Sequence, residues 1–229
     1  LHRLSPFLAD PVVRRFVGTT PGIDLSRLTE AGAIIMADFS QGTLGEQNSV
    51  VLANLLLSAV GRVVMSRADG PEASRPRLNL FIDEAHLVNA DLSRLLALMR
   101  AFNVNITVMA QFLHQFPDAA VVDSLLGNTS SLIAFRLGER DAHLLAERFA
   151  PEFSAANLMA LDNYHAAARL VVNGKVLRPF TLVTEPLEAG RGGAWADHLR
   201  DNSLERHGFT ARESLPPTPA EARPSVVAV

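Results

Sequence analysis

Short apolar runs of strand length alternate along this chain with stretches of helical spacing, and that alternation confines it to an α/β fold. The runs are Ala33–Phe39 (AIIMADF), Leu78–Ile82 (LNLFI), Asn103–Ala110 (NVNITVMA) and Ser131–Leu137 (SLIAFRL). Between them, Glu46–Arg67 is apolar nearly all round, which predicts a helix held between layers or subunits. Asp91–Phe102 repeats Leu92, Leu95, Leu96 and Met99 at helical spacing, and Glu139–Phe149 reads as a further helix. Strands that alternate with helices predict a largely parallel sheet flanked by helices. Ala166–Val172 and Val176–Val183 flank Asn173-Gly174, the strongest short hairpin signal, which adds an antiparallel edge.

A chain of 229 residues can bury one α/β core with a tail. The predicted organisation is a helical connector over 1–31, a core over 32–185, a helix over 186–210 and a disordered tail over 211–229. The connector is broken at Asp10-Pro11 and Pro21-Gly22, and the tail runs through the proline-rich LPPTPAEARPSVVAV. With no cysteine, disulfide frameworks, Cys-ligated zinc and thiol chemistry are excluded. The histidines are scattered without an HExxH or HxxxH pair, so no zinc site is read. A net charge of -3 does not announce a nucleic-acid binder, whose usual footprint is a basic face, so any DNA contact is expected to be local, through a few loop residues inside an assembly. The apolar stretch Val50–Met65 is interrupted by Asn54, Ser58, Gly61 and Arg62, which fits a buried helix better than a membrane span.

Ligands in open α/β sheets bind beyond the carboxyl ends of the strands. Asp83 and Glu84 stand at such an end, directly after LNLFI, in the pattern of a Walker B motif. A strand holds both acids rigidly. Asp83 is then the carboxylate for Mg²⁺, which keeps most of its waters and takes few protein ligands, and Glu84 polarises the water that attacks a γ-phosphate. The structural alternative is a pair of acids that caps the next helix. Asp83-Glu84-Ala85-His86 also spells the DEAH of one helicase superfamily, but the Ser-Ala-Thr and QxxGRxGR-type motifs that should accompany it are absent.

The order of the following parts strengthens the Walker B reading. Arg100 lies near the end of the next helix, and the strand after it delivers Gln111 to its carboxyl tip. Adjacent strands lie about 4.8 Å apart, so a polar residue at that tip arrives beside the acids. A glutamine amide both donates and accepts, which suits sensing a γ-phosphate or orienting its water; the alternative is a helix N-cap. Arg100 is a candidate arginine finger reaching a neighbouring subunit's nucleotide, and its alternative is a favourable charge at a helix C-terminus. Arg136, on the next strand, is a second and lesser candidate for an arginine that contacts the nucleotide, its alternative being an ion pair with Asp141 or Glu139.

The blocks LSPFLADPVVRRFVG, IIMADFSQGTLGEQNS, LNLFIDEAH, LMRAFNVNITVMAQFLHQF, LLGNTSSLIAFRLGERDAHLLA and VNGKVLRPFTL, in that order over about residues 4–183, resemble the conjugative coupling proteins and the HerA–FtsK group of ATPases. This group includes the coupling proteins of type IV secretion. The resemblance implies a RecA-like P-loop NTPase fold, ATP and Mg²⁺ as cofactors, a homo-hexameric ring, and ATP-driven translocation of DNA for conjugation or a related secretion machinery. It implies a cytoplasmic location at the inner face of the bacterial inner membrane. It places Asp83 and Glu84 at Walker B, Gln111 at the sensor glutamine and Arg100 at the arginine finger. The LGNTSSLIAFRLGERDA block looks like the strand that returns to the sheet after the sensor, with no chemistry assigned.

The chain departs from that pattern in one respect. It has no GxxxxGK[ST] phosphate loop; its Gly174-Lys175 is followed by Val176 and falls in a hairpin turn. Two readings follow: a C-terminal piece of a longer ATPase, which the start at Leu1 favours, or a non-hydrolysing subunit that docks on an ATPase ring. In either, this piece alone is expected to be inactive. An AAA+ protein is a third possibility, although it prefers asparagine where Gln111 stands.

Overall fold

The computed structural model describes residues 10, 13, 22–72, 75–88, 92, 95, 96, 100–186 and 193–207, with backbone alone for 69, 100 and 204–207. The chain divides into two compact units, Leu1–Met109 with Arg191–Val229, and Ala110–Gly190. The expected tail over 211–229 and most of the expected connector lie outside the described residues.

The first unit opens with α1 (Leu25–Glu30), capped by Asp24, whose carboxylate accepts the Arg27 amide. A short α2 (Gln41–Leu44) runs into α3 (Glu46–Ser66) through Gly45, whose φ of 76° a side chain would strain. Leu44 and Leu52 pack with Val13, and Phe39 leans on that cluster. Among the described residues α3 buries Ser49, Leu52, Leu57 and Val64. The stripe Val51, Leu55, Ser58, Arg62 and Met65 is exposed, so within this unit the helix is covered on one side rather than held between layers. By length and composition alone α3 would also suffice to cross a membrane.

Two strands follow, β1 (Leu78–Ile82) and β2 (Val104–Val108), paired in parallel from Leu78↔Val104 to Ile82↔Val108. Leu78, Leu80, Ile82, Val104, Ile106 and Val108 share one face, as period-two alternation requires. The other face shows Asn79, Phe81, Asn105 and Thr107 to solvent, with Phe81 67% exposed. The end of the ribbon away from the acids is knitted by Arg75. Its guanidinium donates to the carbonyls of Arg67 (3.2 Å), Gly70 (3.2 Å) and Ala101 (2.8 Å) and lies 5.1 Å from the Phe102 ring centre. The expected helix over Asp91–Phe102 falls largely outside the described residues. Within it Leu92, Leu95 and Leu96 are helical and Arg100–Phe102 is a 3-10 turn.

The second unit holds α4 (Ala119–Asn128), β3 (Leu132–Ala134), α5 (Glu139–Phe149), α6 (Ala155–Met159) and the strands β4 (His165–Arg169), β5 (Val171–Val172), β6 (Lys175–Val176) and β7 (Phe180–Val183). α5 buries Asp141, Ala142, Leu145 and Phe149, one face of a 3.6-residue period. Phe149 is fully buried against Phe153, edge to face at 6.2 Å. Phe149→Ala is expected to cost about 3–5 kcal/mol by emptying that volume, read from the denaturation midpoint. The hairpin forms where Asn173-Gly174 stands, with φ of 51° and 76° at the two residues, the turn whose twist matches the strands. α7 (Gly193–His207) closes the described chain and belongs to the first unit.

Two expected strands differ. Ala33–Phe39 joins no ladder among the described residues, and Ile34 is 90% exposed. The apolar run records a preference for burial, but a strand also needs a hydrogen-bonding neighbour. The Ser131–Leu137 run contracts to Leu132–Ala134, and three residues past its end the Leu137 amide donates to the Leu158 carbonyl at 3.1 Å. That strand also pairs antiparallel with β4, in a sheet of order β3-β4-β7, so β1–β2 is the parallel pair among the described strands. α7 (193–207) lies within the 186–210 span expected to be helical.

Candidate functional site

The carboxyl end of β1 is tied to the end of β2 on both sides of the acidic pair. Met109 N–H donates to the Ile82 carbonyl at 2.8 Å, and Ala85 N–H donates to the Met109 carbonyl at 3.0 Å. Asp83 and Glu84 occupy the turn bracketed by these two bonds. Asp83 is exposed, and its Oδ1 accepts the Glu84 amide at 2.9 Å.

Glu84 takes the left-handed conformation, φ 47° and ψ 47°. That conformation costs a residue with a Cβ about 1–2 kcal/mol. Non-glycine strain of this kind gathers at functional positions, where surrounding contacts sustain it. The contacts here are specific. Ala85 is fully buried beneath the turn, and Leu87 N–H closes a 3-10 turn onto the Glu84 carbonyl at 2.9 Å. Asn54, from α3, donates to the Leu87 carbonyl at 3.2 Å as well as to Val50 at 2.7 Å. His86 places Nδ1 3.3 Å from Glu84 Oε2, close enough for ion pairing but outside hydrogen-bond geometry.

The turn decides against the capping alternative for Glu84. It occupies the N-cap position of Ala85–Leu87, yet its side chain makes no capping bond there. Its carboxylate is directed elsewhere and remains more than a third exposed, at 38%.

Gln111 follows Met109 by two positions along the chain, is exposed, and is the second residue of the second unit, which begins at Ala110. It is not the N-cap of the next turn; Phe112 holds that position before Leu113–Gln115. Beyond Gln111 the backbone is gripped by side chains. Phe112 N–H donates to Gln115 Oε1 at 3.2 Å, and Leu113 N–H donates to Asp141 Oδ2 at 3.0 Å. Arg136, exposed between β3 and α5, donates to Asn163 Oδ1 at 3.2 Å, so this bond goes to neither Asp141 nor Glu139. Arg100 opens the 3-10 turn that precedes β2.

Asn54 and His86 were not singled out by sequence. Asn54 read only as a polar interruption of an apolar helix, and His86 as the last letter of DEAH. A polar residue midway along a helix that faces the strand end is the signal that could have found the first. The second was legible from its place two residues after Glu84.

A single exposed oxygen donor at a rigid strand end, Asp83, suits Mg²⁺, which takes few protein carboxylates and keeps its waters. Among the described residues no group of three or more His, Cys, Asp or Glu residues could enclose a metal by themselves. The acids therefore fit the metal-and-water side of a nucleotide site, whose phosphate cradle would be a GxxxxGK[ST] loop that this sequence does not contain.

No protein-family model matches the chain, and no curated protein matches it. Solved structures do. The bacterial conjugative coupling protein TrwB, in a trigonal form with sulphate, matches with a TM-score of 0.51 at 18% identity over 64% of this chain and 39% of its own. The plasmid coupling protein TrwB bound to the ATP analogue ADPNP matches at 0.49, with 20% identity over 65% of this chain and 41% of its own. Its complex with ADP and Mg²⁺ matches at 0.48, with 20% identity over 64% and 40%. The chain thus spans about two fifths of the length of these structures, and over that span it has a RecA-like α/β fold similar to that of a conjugative coupling protein.

Proposed function

We propose that this chain carries the magnesium-and-water side of the nucleotide site in an ATP-driven DNA translocase of the coupling type. Asp83 holds Mg²⁺, and Glu84 is the base that polarises the attacking water. Gln111 senses the γ-phosphate, Arg136 contributes to the nucleotide side, and Arg100 acts on the nucleotide of a neighbouring subunit in a homo-hexameric ring. ATP and Mg²⁺ are the cofactors. Bound Mg²⁺ would neutralise developing phosphate charge. DNA, engaged by the ring, and a conjugation or secretion machinery are the partners, at the cytoplasmic face of the inner membrane. The observation that carries the reading is the strained Glu84 beside Asp83, bracketed by the Met109 bonds at the carboxyl end of a parallel pair.

The test uses an ATP-hydrolysing assembly that contains these residues. DNA is expected to stimulate its hydrolysis, and Asp83→Ala is expected to remove the Mg²⁺-dependent rate. A Mg²⁺ titration curve unchanged by Asp83→Ala would take the metal away from this carboxylate. The exposed apolar residues of α3 favour a second reading, a non-hydrolysing subunit docked on such a ring. The coding sequence upstream separates the two. A strand followed by GxxxxGK[ST] supports the motor, and an initiator Met close to Leu1 supports the docked subunit.

A further inference from the structure

We propose that Asp141 is a positioning residue for Gln111, acting through the backbone of Leu113; the proposal rests on the sensor role given to Gln111 above. Asp141 and Ser49 are the buried polar residues among those described. Ser49 is satisfied inside its own helix, where its hydroxyl donates to the Gly45 carbonyl at 2.8 Å. Asp141 is not used by its helix in that way. It lies in the first turn of α5, where a carboxylate ordinarily stays in water and favours the helix dipole. Here it is only 5% exposed, and its Oδ2 accepts the Leu113 amide, 28 residues away in sequence, at 3.0 Å. Burying a carboxylate is costly unless it is well bonded, so its place needs a reason.

The segment it holds is short. Gln111 leads into Phe112, whose amide is bonded by the Gln115 side chain, and into the turn Leu113–Gln115, closed by Phe116 N–H on the Leu113 carbonyl at 3.3 Å. Those bonds are local and would travel with the segment if it swung. The Asp141 bond comes from a separate helix, and therefore sets where the turn sits relative to α5. A turn held only by its own bonds opens easily, whereas one anchored to a packed helix opens with it. α5 is packed: Ala142 and Phe149 are fully buried. The ERDA part of the sequence, which carried no chemistry before, thereby gains a role at the sensor.

Amide hydrogen exchange on this chain tests the anchor without requiring turnover. Asp141→Ala is expected to speed exchange across Gln111–Phe116 by about ten- to hundredfold, while β4 and β7 keep their protection. Asp141→Asn retains an acceptor oxygen and is expected to stay close to the parent. In an ATP-hydrolysing assembly, Asp141→Ala is expected to lower kcat about ten- to hundredfold with KM for ATP unchanged, the signature of a misplaced group. Unchanged exchange at Gln111–Phe116, equal loosening throughout Ala110–Gly190, an Asn variant as loose as Ala, or an unaffected kcat would each overturn the proposal. Glu84→Gln in the same assembly keeps the two readings apart. Full turnover there defeats the nucleotide-site reading, whatever the exchange at Asp141 shows.

Discussion

Glu84→Gln is expected to lower ATP turnover by about 10²–10⁴-fold in the assembled enzyme while nucleotide binding persists, because that is the usual contribution of a positioned general base. The amide keeps the size and shape of the side chain and removes its negative charge and its ability to take a proton. Steady-state phosphate release and equilibrium nucleotide binding, measured on the same preparation, separate the two properties. The backbone supplies a second arm. Glu84 holds a left-handed conformation at φ 47°, which glycine adopts without penalty. Glu84→Gly is therefore expected to raise unfolding stability by about 1 kcal/mol while abolishing turnover. A residue that destabilises the fold yet is required for activity is what a catalytic position predicts. Undiminished turnover by the glutamine variant removes Glu84 from the role.

Arg100→Ala is expected to reduce turnover by about 10³-fold or more, and only in the assembled state, since a guanidinium supplied in trans stabilises transition-state charge by that order. The competing account, a favourable charge near a helix end, is worth about 0.3–1 kcal/mol of stability and would show equally in the isolated chain. Subunit mixing decides between them. If Glu84 and Arg100 meet across an interface, combining inactive Glu84→Gln and Arg100→Ala subunits regenerates some interfaces with both residues intact, and activity returns. If both act within one subunit, every site in the mixture stays defective and no activity returns.

Local pattern made several elements legible. α5 follows from its apolar period and the hairpin from Asn173-Gly174, whose decisive interactions lie within a few residues, while LNLFI and NVNITV were legible as β1 and β2 from their apolar alternation although they pair across 26 residues. What escaped depends on distant partners. Ala33–Phe39 has the composition of a strand, but pairing is decided by whichever edge is offered to it. The antiparallel direction of β3 is set by β4, and the Leu137 amide beyond it bonds the distant Leu158 carbonyl, neither of which is encoded in SLIAFRL.

The same division holds at the site. The Asp-Glu pair was readable because side-chain type and strand-end position declare it. The left-handed twist at Glu84 was not, because a glutamate side chain carries no preference for positive φ. In sequence Asp141 offers only an ion-pair partner for Arg136, whose hydrogen bond goes to Asn163.

The paired bonds from Met109 give the acidic turn a mechanical character. Because one residue just past β2, Met109, grips the chain immediately before Asp83 and immediately after Glu84, the dipeptide is mounted like a plate fastened at two points on a neighbouring beam. A displacement that reaches Met109 therefore acts on the backbone on both sides of the two acids at once. A shift in the second strand thus bears on the two acids jointly, with no loop between them to absorb it.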